Sequence, residues 1–510
     1  MMADWLTSPL SPEWLCALRD FCGQLGEWSH WQSHGFYLAT RWGVLWFLPV
    51  IPLVWAFEFL APRRWWLVFL SILSLAFIAF GLMPWPIDGV FPEQVAHHGG
   101  QAMTWARRAV YGLLHAAIVV LLLVGVYRLA RTGQQRCRQP GRNPWHPLVA
   151  AVLVLIAGYF VLYGIRSGWR RLGEGAYGLD AFVILPNFHE AGLAYVFVKS
   201  VHYVWDSCRG RIQNRSWWRF LCWMTFFPSF RVGPIERYHD FFTQVHRCHR
   251  RWRASDLLHG WRRIVQGALK GVLCLFLGNQ WLPAVGDQLA DTVATGGASS
   301  VPYLTVWVLP WMVLMTAYLA LAGYTDIAVG LARLMGYRMA ENFNWMFFSH
   351  NLSELWRRTH MTMSRCLRDY CYYPLVRRGP FRRRPAPGGS AGQQVGHLLL
   401  PTVNFYITFV FCGLWHAPVS KMILWGLLFG TGMAVFELWV WFWQQRVDHN
   451  GLLYRGLARA GLAGGGWPQR VLGVLLTIHF LALSVLLFHG PELFFVVTRE
   501  LIHRPFTWLF

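Results

Sequence analysis

Charge is scarce in this chain, and acidic charge scarcer still: only 14% of its 510 residues are charged, and 24 acids stand against 46 basic residues, a formal net charge of +22. So little charge beside 55% hydrophobic residues excludes a soluble domain of this length. Lysine occurs only at Lys199, Lys270 and Lys421, so the positive charge is almost all arginine. No Cys-x-x-Cys pair occurs among the ten cysteines, which leaves neither a disulfide framework nor a zinc site to expect. A phosphate-cradling glycine loop, a dinucleotide fingerprint and a metal-ligand cluster are all missing, and His97-His98 has no partner ligand at metal spacing. The first 40 residues carry no basic lead into an apolar core, so a cleavable signal peptide is not expected.

What the chain does have is apolar length. Runs at 43–61, 65–85, 109–129, 147–165, 264–286, 303–325, 398–418, 421–443 and 471–489 approach or exceed the ~20 residues needed to cross a hydrocarbon core. The expected fold is an all-α polytopic membrane protein of about 10–12 transmembrane helices with re-entrant and interfacial helices added. It divides into N-terminal helices (1–180), a core with cytoplasmic helices (181–443) and a C-terminal part (444–510). Residues 181–204 are interrupted by Pro186, Asn187, His189, Glu190, Lys199 and His202, so this segment is expected to line a cavity or pack inside the bundle. Pro228, Gly233 and Pro234 break the run 217–235, which points to a re-entrant element. Residues 491–510, with Arg499, Glu500, His503 and Arg504 among aromatics, read as an interfacial helix. With the amino terminus outside, the basic loops at 62–64, 128–142, 205–219, 237–263, 326–397 and 444–470 all fall in the cytoplasm, and 287–302, which has no basic residue, falls outside. The arginines are thus largely topogenic. Those in the cytoplasm also face an anionic ligand or lipid head groups, and no nucleic-acid partner is expected.

Two stretches carry candidate chemistry. In the basic passage Trp356–Pro374, helical spacing would place Trp356, His360, Ser364 and Arg368 on one face, flanked by Arg357, Arg358 and Arg365. A plain amphipathic helix binding lipid phosphates competes with a functional site here. A Ser364–His360 nucleophile pair is disfavoured for want of an oxyanion motif or third member. Asp369 would orient a partner or pair with Arg365, and Asp326 would be functional or pair with Arg333. Glu58 and Glu190 are open in the same way. The second stretch ends at His416, which closes an apolar run near the outer end of its span. Its imidazole is expected to be neutral, and it is either a general base or a hydrogen-bonded packing residue.

Taken in order, Gly192-Leu-Ala-Tyr-Val-Phe with Val204-Trp-Asp, the run Phe227 to Tyr238, the run Gly323 to Gly336, Glu341-Asn-Phe-Asn-Trp, Leu355-Trp-Arg-Arg-Thr-His360, Leu367-Arg-Asp-Tyr with Tyr373-Pro-Leu, and Gly413-Leu-Trp-His416 resemble the membrane-bound O-acyltransferases, in particular their bacterial branch. The resemblance covers roughly residues 190–430. Thr359 stands where that branch usually has tryptophan, and Ala417-Pro-Val-Ser-Lys departs from its usual pattern. It implies acyl transfer through the membrane, with a tunnel joining a cytoplasmic thioester donor to a hydroxyl acceptor reached from outside. His416 would be the invariant catalytic histidine and His360 the second functional one. Arg357, Arg358 and Arg365, with Trp356, Asp326, Asn344 and Ser364, would bind donor or substrate. Acetyl-CoA or an acyl carrier protein would serve as donor, with no bound cofactor or metal. The acceptor would be an exported or cell-surface polysaccharide, reached directly or through a periplasmic or membrane partner, and the location a bacterial inner membrane. Two rivals stay open: a transporter or flippase for an anionic or lipid-linked substrate, and a non-catalytic scaffold for an exported acyltransferase.

Overall fold

Every regular element among the described residues is helical in the computed structural model of the chain. It describes residues 44–60, 63–81, 105–139, 145–173, 193–213, 216–230, 232–248, 254–278, 303–378, 391–445, 455, 458–460, 466–489, 493–495, 497–498 and 501. Expectations that fall elsewhere, among them the outside loop at 287–302, Pro186 to Glu190, and most of 377–396, lie outside the described residues. Among the described residues, five helices are long and apolar enough to cross a membrane. They are Ala116–Cys137 within α3 (Trp105–Cys137), Trp145–Leu162 within α4 (Trp145–Gly173), the whole of α9 (Tyr303–Leu334), Ser420–Trp443 within α14 (Ser420–Gln445) and Trp467–Phe488 within α15 (Trp467–His489). Helices α1 (Val44–Leu60) and α2 (Arg63–Gly81) occupy the described parts of the first two apolar runs.

The described chain forms two compact units, one from Arg41–Val265 with Thr325–Ala340, the other from Gln266–Tyr324 with Glu341–Phe510. In the first, α5 (Leu193–Cys208) buries Lys199, His202 and Asp206 and gives each of them a partner. The Lys199 ammonium donates to the Trp223 carbonyl at 3.3 Å and the Ser229 hydroxyl at 3.4 Å. His202 Nε2 accepts the Tyr238 N–H at 3.0 Å, and its Nδ1 lies 3.6 Å from Asp206, which pairs with Arg211 at 3.1 Å. These partners explain how an apolar stretch tolerates such groups inside.

Lys199 also explains the next element. Helix α6 (Trp217–Thr225) stops after nine residues, roughly 14 Å and less than half a bilayer core. A single 3₁₀ turn, Phe227–Ser229, follows with Pro228 in it, then irregular chain to α7 (Tyr238–Cys248). The freed Trp223 carbonyl is the one that Lys199 takes up. The break expected from Pro228 and Gly233 is therefore present, and a Cβ at Gly233 would overlap the Ser229 backbone.

Helix α8 (Ala254–Phe276) covers the first part of the expected span at 264–286, of which 279–286 lie outside the described residues. It begins earlier and is amphipathic, exposing Leu258, Val265, Leu269, Val272 and Phe276 along one side while Asp256, Gly260 and Ile264 are buried. Its buried side carries an Asp-x3-Gly-x2-Arg pattern, Asp256, Gly260 and Arg263, and α9 repeats that pattern as Asp326, Gly330 and Arg333. The two glycines meet closely, since a Cβ on Gly330 would stand 2.7 Å from the Gly260 carbonyl oxygen. Either side of that contact, Arg263 pairs with Asp326 at 2.7 Å and Arg333 with Asp256 at 2.8 Å, with Arg338 at 3.6 Å from the same Asp256. Asp326 thus pairs with Arg263 on the neighbouring helix, not with Arg333 on its own, because the close glycine crossing brings opposite charges across the interface. Asp326→Ala would take the ion-pair partner at 2.7 Å from a mostly buried guanidinium and is expected to cost about 3 kcal/mol, the lower end of the range for breaking such a pair. The charge swap Arg263→Asp with Asp326→Arg should recover much of the lost melting temperature of the detergent-solubilised protein. A swap no better than the single variant would show that the pair does not hold the crossing.

In the second unit, α13 (Ala391–His416) and α14 form a hairpin whose backbones touch. A Cβ on Gly413 would run into the Met422 carbonyl, and one on Gly426 would stand 2.6 Å from the Phe409 carbonyl oxygen. Small residues at both places allow this approach. Buried Val306, Leu309 and Val313 of α9 pack with Leu486, Leu493 and Val497. Of the expected terminal interfacial helix, Arg499, Glu500, His503 and Arg504 lie outside the described residues.

Candidate active site

The basic passage starts with a well-capped helix. Asn351 accepts the Glu354 N–H at 2.8 Å, and the Glu354 carboxylate accepts the His350 N–H at 3.0 Å, a reciprocal cap that sets the start of α10 (Leu352–Arg358). Glu354 also pairs with the His350 ring and, at 2.6 Å, with Arg358. Burial alone would raise the Glu354 carboxyl; the His350 N–H and the neighbouring positive charges outweigh it and hold the group below its ordinary value.

The continuous helical face expected through Trp356, His360, Ser364 and Arg368 does not form. Helix α10 ends at Arg358, Thr359 is extended at φ −108° and ψ 132°, and His360 is left-handed at φ 43° and ψ 51° before α11 (Met361–Leu367) begins. Residues 342–344 impose this break from outside. The Asn344 N–H donates to the Arg358 carbonyl at 3.0 Å, and the Met361 N–H to the Asn342 carbonyl at 2.8 Å. Only Trp345, at φ 50°, shares a positive φ with His360 among the described non-glycine residues. Each such conformation costs roughly 1–3 kcal/mol, so its surroundings must hold it.

Part of His360 remains accessible, yet the ring is crowded enough that burial holds its imidazole down to about 4, against a smaller upward pull from its own main chain. It is neutral at physiological pH and able to donate from one ring nitrogen while accepting at the other. Ser364 is buried and spends its hydroxyl on the Thr359 carbonyl at 2.9 Å, so it serves the turn and not a nucleophilic pair. Arg357 and Arg365 are exposed, Arg358 is tied to Glu354, and Asn344 is exposed with its main chain on Arg358. Beyond α11 a π-helical turn, Arg368–Tyr372, leads into α12 (Tyr373–Arg378), and there Asp369 pairs with its neighbour Arg368 at 3.0 Å.

This passage lies along α13. Trp356 meets Phe409 edge-on at 4.6 Å, Cys371 donates to Thr408 at 3.8 Å, and Tyr372 stacks on Phe405 at 5.1 Å. His416 closes the same helix two turns further on, where the Ala417 N–H returns to the Gly413 carbonyl at 3.1 Å. Its ring sits among three aromatic rings, Trp415 at 4.6 Å, Phe488 at 5.2 Å and Trp425 at 6.0 Å, all steeply inclined to it. The Trp425 indole N–H is buried and makes no hydrogen bond with the described residues. His360 and His416 therefore belong to one unit, whereas Asp326 lies in the other, engaged with Arg263. Asn342 and the Asn351–Glu354 cap were not singled out from the sequence. The spacing Asn-x-x-Glu was a visible signal for the cap; for Asn342 there was none beyond its place in Glu341-Asn-Phe-Asn-Trp.

Residues 51–384 match the family model of MBOAT, the membrane-bound O-acyltransferases, so the match includes His360 and stops short of His416. Among named proteins, the chain is 27% identical over 332 residues to "Probable alginate O-acetylase AlgI" of Azotobacter vinelandii, covering 65% of this chain and 60% of that one. It is 25% identical over 307 residues to "Teichoic acid D-alanyltransferase" of Bacillus subtilis (59% of this chain, 68% of the other). To "Peptidoglycan O-acetyltransferase" of Helicobacter pylori it is 26% identical over 218 residues (42% and 36%). The chain spans 54–60% of the length of three of the alginate O-acetylase relatives it matches.

Proposed function

Because the chain belongs to the membrane-bound O-acyltransferase family, we propose that it is a multi-pass membrane enzyme passing an acyl group, acetyl in the first instance, from a cytoplasmic thioester to a hydroxyl of an exported or cell-surface polysaccharide. The observation that carries this reading is the single unit holding both histidines, with His360 neutral on a backbone break and His416 in an aromatic enclosure at the end of an apolar helix. The relatives' names point to acetyl or D-alanyl groups and to surface polymers as the acceptor class.

A thioester is already activated, so the protein has to exclude water, position two substrates and manage one proton. His416 accepts the proton of the attacking hydroxyl as its oxygen bonds to the thioester carbonyl carbon. The tetrahedral oxyanion is met by a fixed donor, for which the buried Trp425 N–H stands beside the base. Collapse breaks the carbon–sulfur bond, and the proton on His416 returns to the departing thiolate. His360 positions the donor, and exposed Arg357 and Arg365 meet its phosphates, whether these belong to acetyl-CoA or to the prosthetic arm of a carrier protein. The acceptor is reached directly or through a periplasmic or membrane partner, and the setting is a bacterial inner membrane.

Mass analysis of surface polysaccharide from cells with and without the protein tests the acceptor class. Loss of acetyl or other acyl substituents with the glycan backbone intact is expected. Unchanged substitution would reject the reading, and loss of the whole polymer would favour transport of a precursor.

A further inference from the structure

His360 starts α11 without capping it, since its side chain makes no cap hydrogen bond. The first N–H groups of that helix still need acceptors, because they have none within the helix. Residue 342, remote in sequence, supplies them. Its carbonyl takes the Met361 N–H at 2.8 Å, and its side-chain oxygen takes both the Thr362 N–H at 3.3 Å and the Thr362 hydroxyl at 2.6 Å. Asn342 and Thr362 are buried, Asn342 completely. The job of a capping side chain is thus done from another segment, which frees residue 360 from doing it. On the other side of the break, the Ser364 N–H returns to the His360 carbonyl at 2.9 Å, and the Ser364 hydroxyl holds the Thr359 carbonyl.

We propose that Asn342 is a positioning residue: by capping α11 from outside, its carboxamide oxygen fixes the left-handed backbone of His360 and thereby the placement of that imidazole for the acyl donor. The inference rests on the acyl-transfer reading above. Three donors converge on residue 342, two of them on its side-chain oxygen. Removal of its oxygen takes that acceptor from the Thr362 N–H and hydroxyl and loosens the start of α11, and relaxation of residue 360 out of the left-handed region would swing the ring away.

Asn342→Asp keeps the acceptor oxygen, whereas Asn342→Leu keeps approximate volume and removes it. The Leu variant is expected to lower acyl transfer at limiting donor by about tenfold or more, with part of the loss recovered at high donor, while the Asp variant retains the larger part of the rate. In a His360→Ala background the Leu substitution should add little, because the two changes remove the same thing. A readout free of activity is carbethoxylation of His360 by diethyl pyrocarbonate, followed by peptide mass analysis with His350 and His479 as internal references. Its rate should change severalfold in the Leu variant and stay near wild type in the Asp variant. Should the Leu variant not fold, Thr362→Val, which removes one of the three donors, is expected to move the same readouts by a smaller factor. Equal activity and His360 reactivity in all variants would overturn the proposal, as would a Leu loss that multiplies fully with that of His360→Ala. A wild type with no acyl transfer would instead sink the reading on which it rests, and the carbethoxylation result would still decide whether Asn342 places His360.

Discussion

Replacing His416 with glutamine is expected to lower acyl transfer by ~10²–10⁴-fold, the usual contribution of a positioned general base, while the protein still inserts and purifies as a single species. Glutamine keeps a polar group of similar reach inside the enclosure of Trp415, Trp425 and Phe488 but cannot accept the hydroxyl proton. His416→Ala should cost at least as much activity, with an added packing loss where the ring meets its aromatic neighbours. The Gln variant separates chemistry from packing, since it leaves most of the volume filled. Initial rates and size-exclusion profiles of both variants check this; near-normal transfer by His416→Gln would reduce the residue to one of the wall.

The second large effect concerns His360. As a positioning group for the donor it should, when changed to alanine, raise the donor concentration needed for half-maximal rate by about tenfold or more and depress the saturated rate much less. Its pH behaviour sharpens the test. With the folded-state value held at about 4, the imidazole is neutral throughout pH 5–8, so its removal should not shift any inflection of the rate profile in that window. For stability the sign is the same as for a salt-bridged acid, whose folded-state value is also lowered: the unfolded chain takes up the proton near pH 6.5 and the folded one only near pH 4, so falling pH through that interval destabilises the native state. His360→Ala should flatten that part of the stability curve. A saturated rate that falls as far as that of the His416 variants would contradict the division of roles.

How much of this was legible in the sequence depended on whether the deciding contact was local. The helix break after Thr225 could be foreseen because Pro228 and Gly233 sit beside it, and the burial of Lys199 and His202 followed from their apolar surroundings. The break at His360 could not be foreseen. Arg358-Thr359-His360-Met361 contains neither glycine nor proline, and the groups that impose the turn, Asn342 and Asn344, lie in a different segment. Helical spacing therefore placed Trp356, His360, Ser364 and Arg368 on one face that does not exist. The partner of Asp326 was missed for a related reason. Spacing along one helix suggested Arg333, while a glycine crossing with α8 brought Arg263 closer. That crossing had a signature in the sequence, the repeated Asp-x3-Gly-x2-Arg of residues 256–263 and 326–333, which only a comparison of the two helices would have exposed.

The most direct measurement reconstitutes the purified protein in vesicles, supplies acetyl-CoA or an acylated carrier protein carrying a labelled acyl group on the cytoplasmic side, and follows the label to a polysaccharide hydroxyl on the other side. The expected result is label in ester linkage to the glycan, or to a purified partner added on the acceptor side, dependent on thioester and abolished by His416→Gln. Label that never leaves the thioester pool with glycan and partner both present, or transfer that survives the loss of His416, would contradict it.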